Sequence, residues 1–371
     1  MVNSISFRNA ILSVSVLSFL AAIIYAFVKN FELMGLLLGA GFVTASIGFK
    51  TFESVKKFSY PAMIFAAVTM ALTFPKYFIA VNGFALEKMI LPVMQIIMFG
   101  MGTAISIHDF IGVAKNPRGV FVGVTSHFII MPSLGFLLAS IFPFSPEIAA
   151  GIILIGCSPA GMASNVMSYM AKANLALSIT ITTVSTLLAP LFTPLLMKFL
   201  AGELINIEVF KMMFDIFKIV IIPICLGLLF NRLFSNKIKW MKEVMPVVSM
   251  TGIAFIIVVI TAAGRNSLLE IGILLILSSI IHNTAGYAIG YWSARLFKMA
   301  ERDCRTVAIE VGMQNGGLAS GIAREMGKIA TVGLASAVFG PLMNITGSLL
   351  ASWWKNRDPD SSAMKTDSLA L

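Results

Sequence analysis

Glu310-Val-Gly-Met-Gln-Asn315-Gly-Gly317 is the stretch whose reading decides the fold. It lies inside an apolar segment long enough to span a bilayer, roughly Cys304 to Ala323. A carboxylate, a glutamine and an asparagine fall within six positions there and run into two glycines. An ionisable side chain at membrane depth is costly and by default marks a functional site. Adjacent glycines weaken a helix. A helix broken inside a membrane presents carbonyl oxygens on one side of the break and N–H groups on the other. Carbonyls together with Glu310 make a cation site; the N–H groups and the helix dipole make an anion site.

The segments around this stretch are of the same kind. The 371 residues are 58% hydrophobic and 12% charged, a balance foreign to soluble domains. Apolar runs of about 20 residues recur from end to end, which reads as an all-α polytopic membrane protein in a lipid bilayer. The net charge of +10 does not signal a nucleic-acid partner, because no basic patch interleaved with aromatics accompanies it. Cys157, Cys225 and Cys304 are scattered in apolar segments, so they form neither a disulfide framework nor a metal-binding pair. No HExxH, P-loop or βαβ-type GxGxxG is present, and no enzyme is expected.

Twelve spans are expected, at about 11–28, 33–49, 61–80, 90–107, 119–140, 147–170, 174–198, 209–230, 244–262, 267–295, 304–323 and 331–354. The first follows Arg8 and is expected to be a retained membrane helix, since its apolar run is long and no small-x-small cleavage site ends it. Of the Lys and Arg residues, 18 fall in one alternating set of loops and 8 in the other. The positive-inside rule then places both termini in the cytoplasm of a plasma membrane, with a bacterial inner membrane the natural setting. The tail 356–371, rich in Asp, Ser and Lys, is expected to be a disordered cytoplasmic end.

The last ten spans divide into two fives, 61–201 and 208–355, so the second half enters from the opposite side. That is an inverted repeat of the secondary-transporter kind. Asn165 lies 104 residues after residue 61, and Asn315 lies 106 after residue 209. Each belongs to the fourth span of its half, and each of those spans is interrupted. Paired interrupted helices are the best pointer to a transporter's binding site. Residues 1–57 stand outside the symmetry and read as an added N-terminal hairpin.

In the first half the interruption is Gly156-Cys-Ser-Pro159-Ala-Gly161-Met-Ala-Ser164-Asn165. Pro159 removes a backbone donor and clashes with the preceding turn, so the helix breaks near Gly156 to Gly161. A new half-helix then begins over Met162 to Asn165; a simple proline kink is the bland alternative. Ser178 and Thr182 are four apart on the next span and share a face. With Ser164, Asn165 and Glu310 they would make an all-oxygen site suited to a hard cation, or else they only pack helices. Lys218 is the one cation within a span that might pair with Glu310 structurally. His282-Asn283 reads equally as pore lining or as packing. Gly156-Cys-Ser158-Pro159-Ala160 mimics a hydrolase elbow, but the residue after that serine must donate an N–H, and proline cannot.

Gly156 through Met167, Ala176-Leu-Ser178 through Thr182, Ser185 through Pro190, His282-Asn283, Glu310 through Asn315 and Asn344-Ile-Thr-Gly-Ser348 together resemble the bile acid:sodium symporter family. The match runs collinearly over about 61–355. The resemblance implies a ten-helix unit with a panel domain (61–107 and 208–263) and a core domain (118–201 and 267–355), with the two broken helices crossing in the core. It implies one sodium site on Ser164, Asn165, Ser178, Thr182 and Glu310. It implies a second on Glu310, Gln314 and the carbonyls of Val311 and Met313. A glutamine usually completes the second site; His127 stands in its place here, as a candidate ligand or proton carrier. Met162 occupies a position where bacterial members tend to have threonine. Candidate substrate contacts are therefore Met162, Ala163, Asn165, Asn283, Asn315 and Gly316. The expected function is sodium-coupled uptake of an organic anion by alternating access, with one or two Na⁺ and no oligomer required. A sodium-independent or proton-coupled facilitator or exporter is the alternative.

Overall fold

The computed structural model describes residues 4–52, 55–105, 116–234, 239–357 and 359. Expectations about the rest of the tail, residues 360–371, lie outside these, as do loop residues Lys115 and Lys237. Apart from one small β-hairpin, the regular elements are helices. The chain forms two units, Met1–Met89 with Ile253–Glu270, and Ile90–Gly252 with Ile271–Leu371.

In the first unit, helices α1 (Ser4–Phe27), α2 (Phe31–Lys50) and α3 (Ser59–Thr73) pack in sequence order. Small residues on α2 make this possible: Gly35 and Gly39 face α3, while Gly41 and Gly48 face α1. Close approach over small residues is how helices associate without a hydrophobic driving force. Ser46 and Ser59 each donate to the other's carbonyl at 2.8 Å. Leu17, Leu20, Ile23 and Ile24 of α1 stay exposed, as residues facing lipid would.

The third expected span, 61–80, is shorter than its apolar run. Helix α3 stops at Thr73 because Phe74 precedes Pro75, which disfavours helical backbone at residue 74. Arg265 Nε donates to the Leu72 carbonyl at 2.6 Å, satisfying one of the acceptors freed at that end. A short helix α4 (Lys76–Ile79) follows, then strands β1 (Ala80–Val81) and β2 (Phe84–Ala85), paired Ala80 with Ala85 and Val81 with Phe84. The turn is Asn82-Gly83, both left-handed at φ 49° and 80°. Asn-Gly is the strongest short hairpin signal, and reading only apolar runs passes over it.

The second unit holds α5 (Ile90–Ala104), α6 (Pro117–Ile141), α7 (Pro146–Cys157), α8 (Ala163–Met170) and α9 (Leu175–Ala201). After these come α10 (Val209–Ile216), a π-helical turn at Phe217–Ile221 and α11 (Ile222–Phe234). Helix α12 (Lys239–Ala263) and helix α13 (Arg265–Leu296) precede α14 (Glu301–Gly312), α15 (Gly316–Glu325) and α16 (Val332–Lys355). Among the described residues nine helices are long and apolar enough to cross a membrane. The three other expected spans are the short α3 and the two interrupted pairs, α7 with α8 and α14 with α15.

Helix α8 is held by α9, α14 and α16. Arg305, 2% exposed, secures the junction. Its Nε pairs with Glu301 at 2.9 Å, and its guanidinium donates to the carbonyls of Ala171 at 3.2 Å and Trp354 at 3.3 Å. These are the C-terminal ends of α8 and α16, where a cation also complements the helix dipoles.

Candidate functional site

Helix α7 ends at Cys157. Ser158 is extended, at φ −75° and ψ 152°, as the residue before a proline prefers. Helix α14 ends at Gly312, and Met313 is extended at φ −102° and ψ 107°. The two unwound segments run antiparallel past each other, with Ala160 opposite Gln314. Gly161 N–H donates to Met313 O at 2.9 Å, and Asn315 N–H donates to Pro159 O at 2.8 Å. A Cβ on Gly161 would lie 2.6 Å from the Gln314 carbonyl oxygen, so only glycine allows the two backbones this close.

An unwound backbone buried at membrane depth needs a partner for each polar group. Here side chains from neighbouring helices supply them. Thr193 donates to Cys157 O at 2.8 Å, and Ala160 N–H reaches Ser185 Oγ at 3.3 Å. Asn283 Nδ2 donates to Gly312 O at 2.8 Å, and its carbonyl accepts from Thr346. Ser185 entered the sequence reading only as part of a family motif, and Thr193 not at all. Their signal was a polar residue one helix removed from the first break, which is indistinguishable from ordinary helix packing.

The five residues of the first expected cation set come together. Ser178 Oγ lies 2.8 Å from Asn165 Oδ1 and within hydrogen-bond reach of Glu310 Oε1. Thr182 Oγ1 lies 2.7 Å from Glu310 Oε2 and 3.4 Å from Asn165 Oδ1. Ser164 Oγ lies 3.3 Å from Thr182 Oγ1 and donates to Gly161 O at 2.7 Å. A hydroxyl has one proton. Ser178 and Thr182 thus have two protons for four contacts with Asn165 and Glu310. With Glu310 as a carboxylate, two of those oxygen–oxygen contacts have no proton between them, and the converging oxygens suit a hard cation. Glu310 is fully buried, and no Lys or Arg among the described residues pairs with it. The structural pairing with Lys218 does not occur. Lys218 pairs with Asp215 at 3.3 Å in the π-helical turn, with its side chain 46% exposed.

The second expected set is differently arranged. Val311 O accepts from Gln314 Nε2 at 2.7 Å. Met313 O already accepts from Gly161. Gln314 Oε1 is buried without a partner. His127 is not placed as a ligand: Nδ1 lies 3.0 Å from Glu310 O, and Nε2 lies 2.8 Å from Ser158 O. Both ring nitrogens face carbonyls, so neither offers a lone pair to a cation. A neutral ring donates to one carbonyl and a doubly protonated ring to both.

The expected substrate contacts separate into two groups. Met162 and Ala163 form the partly exposed start of α8, which has no side-chain cap. Asn315 and Gly316 open α15, where the Asn315 side chain caps its own helix by accepting from Leu318 N–H at 3.0 Å. The start of α8 is thus open to an anion, whereas at α15 the N–H groups of Asn315, Gly316 and Leu318 already donate to Pro159 O, Gln314 O and Asn315 Oδ1. Asn283 is fully buried, and both ends of its amide are engaged as described above. Its amide holds the end of α14. His282 is also buried, with Nε2 on Met131 O at 2.9 Å and its ring edge-on to Phe339, which is packing.

Ser158 Oγ donates to Leu154 O of its own helix at 2.9 Å, and the neighbouring His127 meets the Ser158 carbonyl rather than its hydroxyl. Ser158→Ala is therefore expected to cost about 1 kcal/mol of stability and to leave transport within about twofold of wild type. A well-folded variant that no longer transports would contradict this.

A family model described as the Sodium Bile acid symporter family matches residues 91–271. An uncharacterized sodium-dependent transporter of Bacillus subtilis (strain 168), YocS, is 36% identical over 304 residues, covering 81% of this chain and 92% of that protein. The probable sodium/metabolite cotransporter BASS1 of Arabidopsis thaliana, chloroplastic, is 30% identical over 72% of this chain and 66% of its own length. The ileal sodium/bile acid cotransporter of Mus musculus is 32% identical over 66% of this chain and 71% of its own length.

Proposed function

The chain belongs to the sodium bile acid symporter family, and from there we propose that it couples Na⁺ entry to uptake of an organic anion by alternating access. The observation that carries this is the proton-short oxygen cluster on Ser164, Asn165, Ser178, Thr182 and Glu310. Na⁺ bound there neutralises a buried carboxylate and ties α8 and α9 to α14. With the crossover assembled, the substrate carboxylate binds at the N-terminus of α8, beside Met162 and Ala163, where N–H groups and the helix dipole favour negative charge, and the dipole of α15, starting at Asn315 and Gly316, adds to it. Sodium thus precedes substrate, because its ligands lie on both broken segments and it draws together the crossover that frames the anion site.

The same reading gives the architecture. Residues 61–201 and 208–355 act as inverted halves, and a core containing both broken helices moves against a panel. Residues 1–57 are an added hairpin, and the termini lie in the cytoplasm of a bacterial inner membrane. No oligomer is needed.

The test is a thermal-shift screen of the purified protein with cholate, pantoate and other carboxylates, in sodium chloride and in choline chloride. A ligand that binds only the folded state raises its stability. Stabilisation by at least one carboxylate in sodium but not in choline is expected, followed by sodium-gradient-driven uptake of that compound in proteoliposomes. Equal uptake in choline would replace the symporter with a sodium-independent carrier.

A further inference from the structure

We propose that the chain binds a single coupling Na⁺ per transport cycle, because His127, which stands where the family resemblance puts a glutamine ligand of a second ion, is committed to two backbone carbonyls instead. This rests on the sodium-coupled reading above and concerns its stoichiometry.

Helices α7 and α14 end at the crossover, and their C-terminal ends carry partial negative charge. The carbonyls of Ser158 and Glu310 belong to those ends, and each meets one nitrogen of the His127 ring. Nε2 is 2.8 Å from Ser158 O and Nδ1 is 3.0 Å from Glu310 O. These are direct hydrogen-bond separations, so both ring nitrogens are turned to carbonyls and away from any cation. The ring is fully buried and held edge-on by Phe128 at 5.3 Å. Of the other oxygens nearby, Val311 O and Met313 O already accept hydrogen bonds. Gln314 Oε1 is left without a partner, but Gln314 Nε2 is turned onto Val311 O, so with His127 committed to carbonyls no second side-chain amide completes a set of oxygens around a hard cation. Carrying one Na⁺ with a monoanionic substrate moves no net charge, so uptake is then insensitive to membrane potential.

Binding of ²²Na⁺ to the purified full-length protein in detergent measures this directly. Wild type is expected to saturate at one ion per chain with a Hill coefficient near one; two ions per chain would overturn the proposal. His127→Gln removes the ring, frees both carbonyls and adds an amide oxygen. If it remains monodisperse with a wild-type circular dichroism spectrum, it is expected to bind a second ion. One ion per chain in that folded variant would overturn the role given to the ring. No saturable sodium binding by wild type would overturn sodium coupling itself, and the stoichiometry with it.

Discussion

Sodium binding is expected to disappear in Glu310→Ala. The substitution removes the only full negative charge in the oxygen cluster and the two carboxylate oxygens that Ser178 and Thr182 approach. Interactions with a charged partner contribute about 1.5–3 kcal/mol each, so sodium affinity should fall by at least about 100-fold, or roughly 2.7 kcal/mol. Stability without sodium should move the other way or not at all. A buried carboxylate with no cation beside it is costly, and alanine removes that cost. Wild type should therefore gain thermal stability on adding sodium chloride, whereas the variant should start as stable and gain nothing. Glu310→Gln separates charge from shape, because it keeps the side-chain length and should lose sodium binding equally. Near-normal sodium affinity by calorimetry in either variant would mean that Glu310 is not the anionic ligand.

The second large effect is structural in origin. Gly161→Ala places a methyl group 2.6 Å from the Gln314 carbonyl oxygen and 3.1 Å from its carbon. Both are backbone atoms and cannot swing aside. The hydrogen bonds between Gly161 and Met313 and between Asn315 and Pro159 lie on either side of this contact, so the crossover must open. Overpacking of this kind costs about 1–3 kcal/mol. The functional loss should be larger than the stability loss suggests. Ser164 and Asn165 follow directly on one strand of the bridge, and Glu310 precedes the other, so opening it pulls the cation ligands apart. Sodium affinity should fall at least tenfold. Gly321→Ala is the control: its nearest neighbours to a new methyl lie at 3.5 and 4.0 Å, and alanine favours the helix there. Equal sodium affinity and equal melting temperature in Gly161→Ala and wild type would remove the close approach as the reason for glycine.

Much of the site was legible because its causes are local. Pro159 acts on its own backbone and on the residue before it. Gly316 and Gly317 loosen the chain where they stand. The spacing of Ser178 and Thr182 sets a face on one helix, and the apolar runs around them dictate membrane helices whatever they pack against. The sequence by itself therefore determined a helical membrane protein, the two places where helices break, and the oxygen-bearing residues closest to those breaks. Where apolarity and local turn chemistry disagreed, at Pro75 and Asn82-Gly83, the turn chemistry decided, and the third span closed early into a hairpin.

Which atom each polar side chain meets was decided only by the tertiary structure. His127 and Glu310 are 183 residues apart, and the imidazole's two partners are backbone carbonyls that become available only after two distant helices have broken and crossed. Asn283 is expected as a substrate contact because it is polar and intramembrane. Its amide is a cap because α14 happens to end beside it, exposing the Gly312 carbonyl. Lys218 was a plausible partner for Glu310 by composition, and the π-helical turn instead carries it toward Asp215. The physical reason is common to all three. A side chain's chemistry is a property of the residue, but the unsatisfied donor or acceptor it answers is created by the fold, and in a membrane no water is present to answer it instead.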